Sequence, residues 1–480
     1  MLTNLDWIAP GKPFPPKSEE QRIKVYRENE KLFDGNHNAV FGKEFKEIEG
    51  YLKKRHADPM IIFNYPQLLT KKTADFVCGE MPDITVGRKS SDDLNGALDD
   101  MGFGAVLYEA VMDAVRFGDA PIKIMSDRIS AVSPDCWFPI VDPTDLKRET
   151  HQVVAFPTDP DEGNRFRKIY VEIHTPGKVE TREYTAEPHE DGTNIVFGNQ
   201  IEESETRDTG LEECGVLVLK NVSGSKSIHG IDDFGIVKSI VQGLIWRIHC
   251  VDQVLNKHSE PSISIPQSAM TFDEKYGWYL DLGKAFVRNN KDDPDINYVT
   301  WDGNLESCFK EIEVLTNQLY VLSEMGAAFM DAREGGTANS GTALKLRMVS
   351  PRIKARRIAS INTHTVKKLI VAAAHIKGLR NIKVQDIGLT WNDGLPDDRK
   401  ETAEILAMAT GNKPFMSQTT ATKEWGDFDD EAAQKEMDLI ETEHAAQAPS
   451  AFAPMEIRDE QNAGVDREVR NGGSRDQGGD

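Results

Sequence analysis

The spacing of apolar positions changes along the chain, and each change marks an element. Glu19 to Phe33 reads as a charged helix, and Tyr65 to Cys78 as a shorter one with Pro66 in its first turn. Leu94 to Phe117 carries Leu98, Met101, Val106, Ala110 and Ala114 near helical spacing, with Gly102 and Gly104 weakening its middle. From about 119 to 222 the period shortens. The runs PIKIM, WFPIV, HQVVAF, KIYVEIHT, NIVF and GVLVLK are each bounded by Gly, Pro, Asp or Asn, the pattern of antiparallel strands.

The helical period returns in IDDFGIVKSIVQGLIWRIHCVDQVLNKH, where Asp232 or Asp233 can cap the first turn. Val237, Val241, Leu244, Ile248, Val251 and Leu255 mark one stripe, and Ile240, Ile245 and Trp246 widen it. Roughly 26 helical residues span about 40 Å. A helix apolar on more than one face needs several neighbours, so contacts between subunits are expected. Pro261 and Pro266 end this helix, and residues 259 to 303 read as a small irregular β insertion. A second long helix runs from Asn304 to about Met330, with Leu305, Phe309, Ile312, Leu319, Leu322 and Met325 as its apolar positions. A glycine-rich link leads to a third helix, from about Thr342 to Ile376, in which Pro351 predicts a kink. IKVQDIGLTW supplies a short strand, and two acidic helices follow at about 396–410 and 429–445. Residues 446 to 480 lack apolar periodicity and predict a disordered tail.

Length, at 480 residues, allows two or three domains, each with a real core. A net charge of −22 disfavours whole-surface attraction to nucleic acid. The start, MLTNLDWIAP, lacks a basic region followed by an apolar core, so no secretory signal and no membrane partner are expected. Five scattered cysteines without a C-x-x-C pair point to reduced thiols.

Candidate chemistry is thin. The link GGTANSGTALK places Gly336 and Gly341 at phosphate-loop separation, but Thr342 stands where the lysine belongs, and Lys345 comes about one helical turn too late. A flexible glycine-rich connection is the better reading. The chain has no H-E-x-x-H and no G-x-S-x-G. Asp292, Asp293 and Asp295 lack the remaining spacing of a calcium loop, and like His189-Glu190-Asp191 they read as a solvated turn. No enzyme, cofactor or metal is expected. Charge distribution is more informative. Gly335 to Gln385 holds eleven Lys and Arg residues and no acid, whereas Asp386 to His444 holds fifteen acidic residues against five basic. Complementary surfaces, within one subunit or between neighbours, explain this better than a helix facing phosphates.

The order of these parts resembles the portal protein of tailed bacteriophages, of the siphovirus type. FNYPQLLTKKTADFVCGEMPDITVG, SGTALKLRMVSPRIKARR, LTWNDGLPDDRKETAEILAMATG and FMSQTTATKEW are similar to successive segments of that family, over roughly residues 20 to 445. The resemblance implies an α+β subunit. Residues 1–230 become a wing, helical first and then antiparallel β. Residues 231–258 and 304–330 become two stem helices, with a small β clip at 259–303. Residues 331–341 become a tunnel loop, 342–395 the long basic helix and a wing strand, 396–445 a helical crown, and 446–480 the tail.

It also implies a ring of about twelve copies at one capsid vertex. That ring is the channel for double-stranded DNA in packaging and ejection, without sequence specificity. Terminase, a head-completion or adaptor protein, and the major capsid and scaffold proteins dock on it. It is assembled in the host cytoplasm and carried in the virion. Arg333, Gly335, Gly336, Thr337, Asn339 and Ser340 are then expected to face DNA. Lys345, Arg347, Arg352, Lys354, Arg356 and Arg357 are expected to meet DNA or the neighbouring subunit. The alternatives are a non-portal oligomeric structural adaptor and a nucleic-acid-processing enzyme.

Overall fold

The computed structural model describes residues 1–42, 61–87, 91–163, 165–188, 195–259, 262–264, 271–275, 277–279, 297–299, 305–326, 348–392, 399–411, 414–426, 428 and 430–447. Helices and antiparallel strands are mixed, as the α+β expectation requires. The chain divides into two compact units, Met1–Pro396 and Asp397–Asp480.

In the first unit, α1 (Glu20–Phe33) buries Ile23, Tyr26 and Leu32. α2 (Tyr65–Cys78) starts where the Asn64 side chain accepts the Gln67 N–H at 3.3 Å. The helix expected over 94–117 is in fact two, α3 (Asp92–Asp100) and α4 (Phe103–Phe117). Gly102 separates them at φ +62°, left-handed backbone that a β-carbon disfavours.

Each β run found in the sequence is a strand. β5 (Trp137–Asp142), β6 (Asp145–Pro160), β7 (Phe166–Thr175), β8 (Lys178–Pro188) and β9 (Ile195–Gln200) form an antiparallel meander. β1 (Pro13–Phe14) pairs with β9, and β10 (Glu205–Asp208) with β8. Sequence reading passed over β8, because KVETREYTAEP is mostly charged or polar; only Val179 and Tyr184 are fully buried in it. A second sheet has the order β11-β3-β4, from β3 (Asp119–Ile124), β4 (Ile129–Ala131) and β11 (Val216–Lys220).

The short pair β12 (Val222–Ser223) and β13 (Gly230–Ile231) leads into α5 (Phe234–Ser259). α6 (Glu306–Leu322) packs along α5. Described residues between them form two small antiparallel pairs, β14 (Ser262–Ser264) with β17 (Asn297–Val299) and β15 (Thr271–Asp273) with β16 (Gly277–Tyr279).

α7 (Val349–Ile376) corrects the expected kink. Pro351 lies in its first turn, where a backbone N–H has no helical acceptor to lose. β18 (Ile387–Thr390) then pairs with β2 (Asp83–Val86), placing Leu389 opposite Ile84. The N-terminal part therefore holds a strand, β2, between helices, where the sequence showed helices alone.

The largest apolar core joins α2, α3, α4 and the β11-β3-β4 sheet to Ile358, Val366, Leu369 and Ile370 of α7. A second fills the meander around Phe138 and Phe197. A third sets Val237, Val241, Leu244 and Ile245 of α5 against Leu32, Leu69 and Leu319. By length and composition, Phe234–Asn256 is apolar enough to cross a membrane. Part of it, including Val237, Val241, Leu244 and Ile245, packs in this third core. All five cysteines are free.

Among the described residues, the second unit has three helices, α8 (Arg399–Thr410), α9 (Gln418–Gly426) and α10 (Asp430–Gln447). α9 carried little periodicity, and the Ser417 hydroxyl accepting the Thr420 N–H at 3.1 Å starts it. Leu406, Ala409, Ala421 and Ala433 are buried. The predicted tail from 448 onward lies outside the described residues.

Candidate functional site

Three helix ends are joined at one point by ionic and polar contacts. Asp232 and Asp233 divide the work that the sequence assigned to either. The Asp232 carboxylate accepts the Gly235 N–H at 2.7 Å, capping α5. Asp233 instead accepts the Asn221 side-chain amide at 2.7 Å and is ion-paired with Lys354 of α7. Its own N–H donates to the Val115 carbonyl at 3.0 Å, fixing it to the end of α4. Lys354 is only 2% exposed and also donates to the Ser323 carbonyl at 2.8 Å, just past α6. A buried ammonium costs several kcal/mol unless it is paired and hydrogen-bonded, as here.

One residue further, Glu324 adopts φ +60°, an uncommon left-handed conformation for a side-chain-bearing residue. Two side chains hold it. The Ser350 hydroxyl donates to its carbonyl at 3.0 Å, and Arg357 pairs with its carboxylate, Nη1 to Oε1 at 3.2 Å. Hydrogen bonding from Arg357 holds the Glu324 carboxyl below its usual range and raises the guanidinium in turn. The start of α5, the end of α6 and the first turns of α7 are thus fastened to one another.

A second polar cluster fixes the strand that leads into α5. Asp119, wholly buried, accepts from the Tyr26 hydroxyl at 2.7 Å and from the Gly230 N–H at 2.7 Å, and contacts His229 Nδ1 at 3.0 Å. Burial alone would raise its carboxyl, but His229 and the Gly230 amide hold it low. Glu19, bonded by Arg22 at 2.7 Å and facing His229 at 3.6 Å, is likewise held at about 2 against the opposing effect of burial. Gly118 and Gly230 pass backbone to backbone; a β-carbon on Gly230 would lie 2.0 Å from the Gly118 carbonyl oxygen.

The helix pair that leaves this junction is sparsely covered. α5 and α6 are linked by Arg247 Nε to Glu311 Oε1 at 2.9 Å, and Leu315 packs beside Gly243. Of α6, however, only Leu319 is fully buried. Phe309, Val314 and Val321 are more than half exposed, as are Ile236 on α5 and Ile353 on α7. Single exposed apolar residues are ordinary. A 17-residue helix with one buried position is not.

Of the basic residues singled out in the sequence, Lys354 and Arg357 sit in the junction. Arg352 and Arg356 line a small cavity of about 60 Å³ with Phe76, Val77, Ala359 and Trp391. Lys345 and Arg347 lie outside the described residues, as do Arg333, Gly335, Gly336, Thr337, Asn339 and Ser340. Sequence reasoning did not find Ser323 or Glu324. Their only signal was position, at the end of an apolar stripe just before the glycine-rich link.

Against known proteins, the pattern of one family, described as "Phage portal protein, SPP1 Gp6-like", matches residues 16–450. The chain belongs to this family of phage portal proteins. Among solved structures, a chain described as "Virion of native gene transfer agent (GTA) particle" is similar over 87% of this chain and 96% of that chain. Its identity to this chain is 10%, with a TM-score of 0.39. No curated protein matches.

Proposed function

We propose that the chain assembles into a closed ring of about twelve copies at one capsid vertex, and that double-stranded DNA enters and leaves through its centre. Residues 1–230 form the wing, 231–258 and 304–330 the stem, 259–303 the clip, 331–341 the tunnel loop, 342–395 the basic helix and wing strand, and 396–445 the crown. The observation that carries this reading is α6, whose side chains are left uncovered by its own subunit. In a ring, the α5–α6 pair is covered by its neighbours, and the exposed Phe309, Val314 and Val321 become packing surface.

The acidic balance, −22 per chain, fits a conduit that must not grip its cargo, since phosphate contacts are strong and independent of sequence. Arg333, Gly335, Gly336, Thr337, Asn339 and Ser340 line the narrowest passage. Among the bases after them, Lys345, Arg347, Arg352 and Arg356 meet DNA or the neighbouring subunit. Lys354 and Arg357 act earlier in the chain of cause: they hold the helix ends from which that passage is built. Terminase, a head-completion protein, and capsid and scaffold proteins dock on the outside. The subunit's role is structural, and ATP hydrolysis belongs to the terminase.

Negative-stain electron microscopy of the purified chain, with its mass from light scattering, tests this. Rings with a central hole support the proposal. Failure to form rings both alone and with scaffold or capsid protein refutes it.

A further inference from the structure

The outer face of α7, away from the junction, borders a cleft of about 680 Å³ whose chemistry the ring reading leaves unused. Positions 364, 367, 368, 371 and 375 fall at helical i, i+3, i+4 spacing, so His364, Lys367, Lys368, Val371 and His375 share one stripe along its wall. The turn after α7 adds Arg380 and Lys383. Ile124 and Leu217 of the β11-β3-β4 sheet supply an aliphatic floor. Four cations therefore border an apolar trough in a chain of net charge −22. Lys368 is committed to Glu213 at 2.7 Å. Lys367 and Arg380 have no acid partner among the described residues.

We infer that this cleft docks a short acidic peptide segment of another polypeptide, with carboxylates meeting Lys367 and Arg380 and an aliphatic side chain seated on Ile124 and Leu217. Size and lining agree: binding clefts of roughly 300–1,000 Å³ combine an apolar bed with a few placed charges. Charge complementarity selects the anion, and the floor selects its carrier. No Phe, Tyr or Trp lines the cleft as a broad platform for a base to stack on. Glu212 and Glu213 also line the cleft, Glu213 already paired with Lys368, so the lining disfavours a continuous phosphate backbone more than a few carboxylates placed at Lys367 and Arg380. The inference does not rest on ring formation, because every lining residue belongs to one subunit.

Fluorescence anisotropy on the full chain tests it, with a labelled peptide of repeating Glu-Glu-Leu-Leu as probe and its Gln-Gln-Leu-Leu counterpart as control. The acidic peptide is expected to bind and the neutral one to bind far more weakly. The double substitution Lys367→Glu with Arg380→Glu should weaken binding at least about tenfold, a change of about 1.4 kcal/mol. Lys367→Arg with Arg380→Lys should preserve it. A readout on the unaltered chain is Cys214, which lines the cleft: the bound peptide should slow its alkylation and leave that of Cys136 unchanged. Equal binding of the neutral peptide, displacement by short single-stranded DNA, unchanged Cys214 alkylation or no binding at all would each overturn the proposal.

Discussion

Lys354 and Asp233 form an ion pair across 121 residues of sequence, and the lysine is 2% exposed. The same ammonium holds the carbonyl that follows α6. Removing it leaves a carboxylate deprived of its cation and a carbonyl deprived of its donor. Lys354→Ala should destabilise the first unit by about 3 kcal/mol, read as a lower denaturant midpoint. Lys354→Met combined with Asp233→Asn should recover much of that loss, because neither charge is then stranded. A single substitution within about 0.5 kcal/mol of the parent would show that the pair does not hold the junction.

Backbone contact at the root of α5 gives a sharper contrast. Gly230→Ala places a β-carbon 2.0 Å from the Gly118 carbonyl oxygen and should cost about 3 kcal/mol. Gly96→Ala, in the interior of α3 with nothing within 4 Å, should instead stabilise by about 0.5–1 kcal/mol. Thermal unfolding of both variants decides whether close approach or backbone entropy governs each glycine.

Acid should loosen the first unit in a defined window. Glu19 and Glu172 are both held at about 2 in the fold, against 4.5 when free. For Glu172, burial opposes this and is outweighed by His174, Lys123 and Tyr170. Carboxyls with a depressed folded pKa stabilise above the free value and lose that contribution as pH falls through the folded one. Stability should therefore fall between about pH 4.5 and 2, by on the order of 2–3 kcal/mol per carboxylate. Asp113 acts oppositely, since burial pushes it up to about 6. Between about pH 6 and 4 its protonation favours the fold. His37 and His249, whose burial lowers their pKa, oppose that gain as pH falls below their free value, so urea midpoints should change little down to about pH 4.5 and then fall steeply. A steep loss that begins near neutral pH would contradict this assignment.

Exposed α6 residues separate assembly from folding. Val321→Glu changes a side chain 66% exposed, so the isolated subunit should keep its unfolding midpoint within about 0.5 kcal/mol. Ring formation, followed by light scattering, should be lost, because a charge is buried at each subunit contact. Rings of normal mass would remove α6 from the interface.

How much of this was legible beforehand depends on range. Local signals were clear: Pro66 at the start of α2, the β runs from 119 to 222, and the widened stripe on α5 all became the elements they predicted. Errors came from residues whose role is set by a distant partner. Pro351 looked like a kink until the helix was seen to begin at Val349. β8 was invisible because its neighbours β7 and β9, and not its own composition, make it a strand. Lys354 looked like one base among eleven, and nothing nearby in sequence announces that Asp233 neutralises it. Of the eleven bases, Lys354, Arg357, Lys368 and Lys377 pair with Asp233, Glu324, Glu213 and Asp100, all of them acids that lie outside the acidic C-terminal part.

The pairing of β2 with β18 carries a consequence for synthesis. Ile84 lies opposite Leu389, and the core shared by α2, α3 and α4 is completed by side chains of α7. A ribosome adding about 5–20 residues per second needs about 15–60 s to travel the roughly 300 residues between those strands. Throughout that interval the early helices have emerged without the partners that cover them. The nascent first unit must wait, half-built and exposed to chaperones, until nearly its whole length has been translated.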